Sequence, residues 1–424
     1  MQFDHTLSFA RDMDKKDPLK RFRKKFFIPK HKGKETIYFT GNSLGLQPKA
    51  TQKYIQQELD DWAKLGVDGH FHAKNPWMPY HEKFSKPIAS IVGAKPHEVV
   101  VMNQLTVNLH LLLVSFYKPT KQRFKILCEA KAFPSDQYAL ASQVRFHGYD
   151  PLKAIVEIAP RPGEHHIRHK DILQAIEKHK DSLNVVLMGG VNYYSGQVLK
   201  MQSIAKAAHN AGAYAGFDLA HAAGNIALQL HKWKVDFACW CSYKYLNSGP
   251  GGVAGIYIHE KYARDTSVQR FAGWWGSKKE TRFEMPPNFE AIPSAEGWQL
   301  SNAPILSMAA HKASLDIFKE AGLNNLISKS KLLTGYLFFL LQAINKKQEG
   351  FMEIITPINE TEHGCQVSLL MNKNGKAIFN KLKQNGVVAD WREPNVIRIA
   401  PVPLYNTFED VYRFCSIIES FVSK

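Results

Sequence analysis

The residues best placed to do chemistry lie between Phe217 and Gly255. An acid, Asp218, ends an apolar run that is typical of a strand, and His221 follows on the outgoing loop. Lys244 comes just after a later apolar run, between aromatic neighbours that would desolvate its amine. A desolvated lysine suits Schiff-base chemistry, because only the neutral amine attacks a carbonyl. An acid and a lysine in one cleft match the needs of pyridoxal phosphate, since the lysine forms the imine and the acid keeps the ring nitrogen protonated.

These residues must be positioned by the strands that precede them. Short apolar runs alternate with helix-like segments through the middle of the chain, which is typical of βαβ units in a parallel sheet covered on both faces. Ligands bind at the carboxyl ends of the strands in such sheets, and Asp218 lies at such an end. The predicted strands cover residues 124–128, 185–188, 213–218, 235–241 and 253–258.

The pattern changes after residue 304, where runs of helix and strand replace the alternation and predict a smaller α+β domain. We predict helices at 305–320, 326–346, 375–384 and 408–422, and strands at 366–371 and 396–400. The expected organisation is a basic N-terminal arm packing with the small domain (1–35), a large cofactor-binding domain (36–305) and a small C-terminal domain (306–424).

The composition excludes several classes of protein. The 424 residues carry 55 Lys+Arg against 38 Asp+Glu, a formal charge of +17, and 45% hydrophobic residues exclude a disordered chain. No apolar run approaches the roughly 18 residues that span a bilayer. We therefore expect a protein with no membrane partner, and the N-terminus shows no apolar leader segment, which predicts a cytoplasmic location.

A basic arm accounts for part of the charge. Ten Lys and Arg lie between Lys15 and Lys34, with Asp17 as the one acid among them. Such an arm can bind nucleic acid, yet no nucleic-acid motif accompanies it, and Phe22 and Phe26 would pack it down. We favour a packed arm with a solvated basic face over a nucleic-acid partner. RNA binding, which would weaken steeply with salt, is the non-enzymatic alternative.

The cysteines indicate a reducing compartment, because their number is odd and their spacing sparse. A metal site at the Cys-x-Cys pair would need two further ligands nearby, and the sequence offers none at a suitable spacing, so we predict no metal. The five cysteines are Cys128, Cys239, Cys241, Cys365 and Cys415.

The motif D-x-x-H … S-Y-K-Y-x-x-x-G-P-G-G resembles the fold-type I pyridoxal-phosphate enzymes of the class V aminotransferase group. Six further segments narrow the resemblance to the kynureninase family, and they follow in the same order from about residue 38 to the end. The resemblance implies an α/β, aspartate aminotransferase-like fold with a mainly parallel sheet in the large domain. The segments are 39–48 (FTGNSLGLQP), 103–108 (NQLTVN), 133–136 (FPSD), 273–276 (GWWG), 300–304 (LSNAP) and 397–406 (IRIAPVPLYN).

The resemblance also implies roles for single residues. Lys244 would be the Schiff-base lysine, Asp218 the partner of the pyridine nitrogen, and Tyr243 a phosphate contact. Our own hypothesis is that Tyr243 also donates a proton to Cβ, because its hydroxyl could reach both the phosphate and the substrate. Arg398 would clamp the substrate α-carboxylate with its two-pronged guanidinium. Further cofactor contacts would be Leu105, Thr106, Phe133, Pro134, Ser135, Asp136, His221, Trp274 and Asn302. Further substrate contacts would be Asn42, Ser43, His70, Ser301 and Asn302.

The implied reaction is hydrolysis of the Cβ–Cγ bond of L-kynurenine or 3-hydroxy-L-kynurenine, giving L-alanine and the anthranilate. The pathway around it is either tryptophan breakdown or NAD synthesis. The implied assembly is a homodimer whose active site is shared between subunits. Polar residues at 70, 301 and 302 favour the hydroxylated substrate, because they can bind its hydroxyl. Gly189 departs from the family, some members of which have serine there.

Two enzymes of the same fold are the alternatives. A cysteine desulfurase would need a nucleophilic thiol in a mobile loop, and Cys365 lies at a plausible distance from Lys244 but in a segment that predicts a buried strand. An aminotransferase would depend on a keto acid, and nothing in the sequence marks a second substrate mode.

Overall fold

The structure, a computed structural model, describes residues 2–421. Within that range it contains fourteen α-helices and fifteen strands. The helices are α1 (Leu7–Lys16), α2 (Thr51–Leu65), α3 (Gly69–His72), α4 (Glu82–Val92), α5 (Leu105–Phe116), α6 (Pro134–Phe146), α7 (Pro151–Ala154), α8 (His169–Lys178), α9 (Met201–Asn210), α10 (Glu260–Ala263), α11 (Ile305–Ala321), α12 (Leu323–Lys347), α13 (Gly375–Gln384) and α14 (Phe408–Glu419).

The strands are β1 (Lys30–His31), β2 (Lys34–Glu35), β3 (Ile37–Tyr38), β4 (Val99–Val101), β5 (Lys125–Glu129), β6 (Ile155–Ile158), β7 (Leu183–Gly189), β8 (Tyr214–Asp218), β9 (Phe237–Trp240), β10 (Gly255–Ile258), β11 (Met352–Ile354), β12 (Val367–Met371), β13 (Val387–Val388), β14 (Asp390–Arg392) and β15 (Val396–Ile399). Short 3-10 helices cover Lys20–Lys25, Gly66–Asp68, Pro96–Glu98, Trp274–Gly276, Arg282–Glu284 and Ala295–Trp298.

The large sheet has seven strands in the order β4-β10-β9-β8-β7-β5-β6. The strands from β9 to β6 run parallel, which confirms the mainly parallel sheet, and all five strands predicted for this region are present. The strand β10 is antiparallel to both of its neighbours. It follows β9 through the turn-rich loop at 241–254, without the long helical crossover that would return the chain in a parallel direction.

Both faces of this sheet are covered, so its strands are apolar throughout. Along β7, Val186 packs into one core cluster and Val185 into the other, because successive side chains point to opposite faces. The first face is covered by α8 and α9 through Ile172 and Ile204. The second is covered by α5 and α6, with Leu109 among the contacts.

A second sheet, ordered β11-β12-β15-β14 and antiparallel throughout, belongs to the C-terminal part of the chain. It shares a core cluster with α12, α13 and α14. The helix α11 ends at Gly322, whose φ of 78° is the conformation that glycine adopts without strain. The helix predicted at 408–422 begins at Phe408 and ends at Glu419, and residues 422–424 lie outside the described range.

The N-terminal arm contacts both core regions. Ala10 and Met13 of α1 lie in the cluster of the C-terminal part, whereas Phe22 and Phe26 lie in the cluster of the large sheet. Arg23 of the arm pairs with Asp410 at 3.0 Å. The domain boundaries at 35/36 and 305/306 stay predictions. None of the helices in residues 2–421 has the length and apolarity to cross a membrane.

Candidate active site

Three neighbouring strands end at the edge of the large sheet where the candidate site lies. Asp218 ends β8, Gly189 ends β7 and Glu129 ends β5, and Gly189 is the register partner of Asp218. Because the carboxyl ends of parallel strands meet at one edge, two acids separated by a glycine face the same cavity. The parallel topology alone therefore brings these acids together.

Lys244 and His221 form the centre of the cavity. The Lys244 Nζ lies 2.9 Å from the His221 Nε2 and 5.8 Å from the centre of the Phe133 ring. Burial, together with the charges of Lys244 and Arg398, lowers the pKa of His221 well below its usual value. The imidazole is therefore neutral at physiological pH, so it can accept a hydrogen bond from the Lys244 ammonium.

The cavity contains more carboxyl groups than cations. Burial and the neighbouring Asp218 raise the pKa of Asp136 well above its usual value, and burial raises the pKa of Glu129 to about 7. The Asp136 Oδ1 has no hydrogen-bond partner within residues 2–421. Lys244 is the one cationic side chain among the residues that line the cavity. An additional positive charge or proton donor beside these acids would therefore stabilise them.

The first turn of α5 forms another wall of the cavity, through Leu105 and Thr106. Its N-cap, Gln104, makes no capping hydrogen bond with its side chain. The first backbone bond within the helix is from the Asn108 N–H to the Gln104 carbonyl, so the N–H groups before it are not used by the helix. A helix start of this kind binds anions, because free N–H groups and the helix dipole act together.

Nine of the predicted site residues line this one cavity. They are Leu105, Thr106, Phe133, Ser135, Asp136, Asp218, His221, Tyr243 and Lys244. The other predicted residues do not line it. Pro134 is an exposed first residue of α6, Ser43, Ser301 and Asn302 are exposed, and Asn42 is buried with its Nδ2 donating to the Gln366 Oε1 at 3.1 Å.

Arg398 lies behind the cavity wall on β15. Its guanidinium is 1% exposed, pairs with the Asp390 carboxylate and donates to the backbone carbonyl of Tyr193. Tyr193 itself lines the cavity. Burial lowers the pKa of Arg398 to about 10, so the side chain stays charged at neutral pH. The predicted carboxylate clamp is therefore adjacent to the cavity but bonded to an acid of its own chain.

Trp274 belongs to an exposed aromatic patch formed by Phe71, Trp274 and Phe283. Their exposures are 56%, 42% and 55%, and the Phe283 ring centre lies 5.5 Å from Trp274 and 6.5 Å from Phe71. His70, next to Phe71, places its ring edge-to-face with Trp77 and does not line the cavity of its own chain. Trp274 thus lies in an exposed aromatic patch, and His70 is half-buried beside it.

Sequence reasoning missed two polar residues of the cavity, Glu129 and Tyr193. The signal for Glu129 was available, because it ends the apolar run at 125–129 in the way that Asp218 ends its own strand. Tyr193 lies on the loop after β7 and carried no comparable signal, since its place depends on how that loop folds back over the sheet edge.

Comparison with solved structures identifies the class of this fold. A cysteine desulfurase from Thermococcus onnurineus matches 92% of the chain and 95% of its own, with a TM-score of 0.74 and 18% identity. A cysteine desulfurase from Escherichia coli matches 96% and 98%, with a TM-score of 0.75 and 14% identity. A C-DES variant with glycine covalently linked to its PLP cofactor matches 90% and 96%, with a TM-score of 0.75 and 15% identity. The fold is that of the fold-type I pyridoxal-phosphate enzymes.

Sequence comparison gives the family. The model of the kynureninase C-terminal domain matches residues 326–418. Kynureninases from Flavobacterium psychrophilum, Myxococcus xanthus and Rattus norvegicus are 57%, 53% and 48% identical to the chain. These alignments cover 99%, 98% and 97% of the chain and 99%, 97% and 92% of the respective relatives. The chain belongs to the kynureninase family.

Proposed function

We propose that this chain is a pyridoxal-phosphate-dependent hydrolase that cleaves the Cβ–Cγ bond of L-kynurenine and 3-hydroxy-L-kynurenine. The products are L-alanine and anthranilate or 3-hydroxyanthranilate. The observation that carries the proposal is the convergence of Lys244, His221, Asp218 and the free start of α5 on one cavity in a member of the kynureninase family.

The residues of the cavity fit this cofactor. The free N–H groups at the start of α5 suit its phosphate, and Thr106 and Tyr243 would contribute hydroxyls. Asp218, one of the three carboxyl groups that line the cavity, would pair with a protonated pyridine nitrogen. Phe133 would lie against the ring. Lys244 would hold the cofactor covalently. Ser135, Asp136 and His221 complete the set proposed for this chain's own cofactor pocket, and Pro134 begins the helix that positions Ser135 and Asp136.

When bound, pyridoxal phosphate supplies an electron sink for the bonds broken at Cα and Cβ of the amino acid. Lys244 would take the Cα proton of the amino acid, and the neutral His221 at 2.9 Å would accept a hydrogen bond from its amine and so orient it. Asp218 would hold a proton at the pyridine nitrogen. Water would add to the γ-carbonyl and stay with the anthranilate as its carboxyl group when the Cβ–Cγ bond breaks, and Tyr243 would then donate a proton to Cβ. Burial raises the pKa of Tyr243, so its hydroxyl keeps the proton until that step.

Arg398 would bind the substrate α-carboxylate by exchanging its present partner, Asp390. The exchange replaces one guanidinium–carboxylate pair with another pair of the same kind. Asn42 would accept a hydrogen bond from an N–H group of the substrate, since its Oδ1 is buried and has no hydrogen-bond partner within residues 2–421. Ser43 lies next to it in the chain.

A homodimer with a shared active site is supported by the aromatic patch. His70 and Trp274 are site residues by family resemblance, yet neither lines the cavity of its own chain: Trp274 is exposed, and His70 is half-buried beside the exposed Phe71. The proposed two-fold arrangement buries the patch and brings both residues to the site of the second copy. His70, Ser301 and Asn302 would then select the hydroxylated substrate, and Trp274 and Asn302 would also contact the cofactor.

We propose that the reaction serves tryptophan catabolism or, through 3-hydroxyanthranilate, NAD biosynthesis. A cytoplasmic location suits its five cysteines, all of which are buried as free thiols. These features are part of the proposal and rest on the identity of the substrate.

The rival activities have less support. Cys365 is 1% exposed, and burial raises the pKa of its thiol to about 12, so it is not the reactive thiolate that a desulfurase needs. The arm proposed for RNA binding uses several cations internally, since Arg21 and Lys25 pair with Glu320 and Arg23 pairs with Glu35. An aminotransferase would show itself by dependence on a keto acid.

The experiment is an assay of the cofactor-loaded protein with L-kynurenine and 3-hydroxy-L-kynurenine in parallel, following L-alanine and the anthranilate. We expect both products in equal amounts, a higher kcat/KM for the hydroxylated substrate, and loss of cleavage in Lys244→Ala. The control is Lys170→Ala, which removes an exposed lysine on α8. Equal kcat/KM values would refute the substrate preference, and sulfur release from L-cysteine without kynurenine cleavage would refute the reaction.

A further inference from the structure

Glu129 occupies an unusual position in the cavity. It ends β5. The strands β5 and β8 lie on either side of β7 in the sheet, so the Glu129 and Asp218 side chains flank the end of β7. The Glu129 Oε1 accepts from the Gly189 N–H at 3.2 Å, and its Oε2 accepts from the Asn192 Nδ2 at 3.2 Å. The carboxyl group lines the cavity although the residue is only 5% exposed.

The glycine at 189 leaves space for this arrangement. A Cβ built on Gly189 would lie 2.7 Å from the Glu129 Oε1, closer than a carbon and an oxygen can approach. The carboxyl group thus uses the volume that a side chain at 189 would fill. The departure from the family at Gly189 and the buried acid at 129 are therefore two parts of one local structure.

Among the residues that the structure describes, Glu129 has no cationic partner. Its two hydrogen-bond donors are neutral, and the charged groups around it are mostly acids: Asp218 on β8 and Asp136 on α6, with Lys244 beyond them. On β6 the nearest acid, Glu157, is exposed and does not line the cavity. A buried acid in such surroundings is costly unless a positive charge arrives beside it.

We propose that Glu129 is a second acid of the cofactor site. It anchors the turn at 189–192, and its negative charge, together with that of Asp218, raises the affinity of the bound cofactor for protons. The inference rests on the proposed function in one respect, since it requires pyridoxal phosphate in this cavity. Glu129 is a positioning residue for the turn and an electrostatic partner for the cofactor. Burial and the nearby Asp218 raise its pKa to about 7, so its charge varies near neutral pH.

The electrostatic role can be separated from a structural one. A residue that only anchors the turn changes cofactor affinity or stability when it is replaced. A residue whose charge acts on the cofactor also changes the pH at which the absorbance spectrum of the bound cofactor titrates. That titration needs no substrate and no turnover. A negative charge favours the protonated cofactor, so its removal must move the midpoint to lower pH.

The experiment compares the pH-dependent absorbance of the loaded wild type with Glu129→Gln, Glu129→Asp and the control Glu157→Gln. We expect Glu129→Gln to lower the midpoint by about one pH unit, the effect of one charge at close range in a partly buried site. Glu129→Asp keeps the charge, so its midpoint should lie close to that of the wild type. This variant also keeps the test usable if the glutamine variant is unstable. Glu157→Gln should superpose on the wild type.

Three results would overturn the proposal. Coincident titrations of Glu129→Gln and the wild type, with kynurenine cleavage intact in the wild type, would remove the role of Glu129 and leave the proposed function standing. An equal shift in Glu157→Gln would also remove it, because a remote acid would then act as strongly. A wild type that binds no pyridoxal phosphate would instead contradict the proposed function, and this inference with it.

Discussion

Mixing two inactive variants tests the shared active site quantitatively. Lys244 lines its own chain's cavity, whereas Trp274 lies in the aromatic patch and does not. We expect Lys244→Ala and Trp274→Ala each to lose most kynurenine cleavage. If subunits reassort at random, half of the dimers contain one chain of each kind. In each such dimer one site combines the intact Lys244 of one chain with the intact Trp274 of the other, and the second site lacks both.

The mixture should therefore regain about a quarter of the wild-type activity, since about a quarter of all sites are complete. The assay is anthranilate formation from L-kynurenine after co-expression of the two variants with saturating cofactor. The matched control pairs Lys244→Ala with Arg398→Ala, because Arg398 adjoins the cavity of its own chain through Tyr193. That control should regain nothing. No recovery in the first mixture, with heterodimers present, would refute the shared site.

Three further predictions concern the arm, the proton donor and the thiols. The buried Lys329 lies 2.7 Å from the Asp17 carboxylate, and Asp17→Asn removes that counter-charge. Urea unfolding should therefore show a free energy of unfolding lower by about 3–5 kcal/mol, which a further Lys329→Met partly restores. Simple additivity of the two changes would contradict this prediction. Tyr243→Phe should lower kcat by about 100-fold or more, because the Cβ proton donor is lost, and an unchanged kcat would rule out that role. Alkylation of the native protein should leave kynurenine cleavage intact, since all five cysteines are buried, and a loss in step with labelling would favour a thiol mechanism.

Local sequence patterns were sufficient to predict the main strands and the position of the lysine and acid. Asp218 and Lys244 each follow an apolar run, and a parallel sheet brings the ends of such runs to one edge. The strand β4 was missed because its three residues are too few to give a distinct pattern. The strand β6 was missed because its four residues include the exposed Glu157 and so form no continuous apolar run. The antiparallel direction of β10 depends on the loop before it, which hydrophobicity does not encode.

Side-chain partners were harder to predict than strand positions. Arg398 and Asp390 meet because β14 and β15 pair with these two residues in register, so the ion pair follows from a strand pairing that no motif reveals. His70 and Trp274 match family motifs, but motifs do not state which subunit's site a residue serves. Glu129 was overlooked because a single acid after a short strand is common, and only the neighbouring Gly189 makes its position distinctive.

The most direct measurement is to find which residue holds the cofactor. The pyridoxal-phosphate-loaded protein is reduced with borohydride, digested, and its modified lysine is located by mass spectrometry, with Lys244→Ala as the control. We expect modification at Lys244 and none in the variant. Modification at another lysine, or no modification in a protein that cleaves kynurenine, would contradict the assignment of the cavity around Lys244, His221 and Asp218 as the active site.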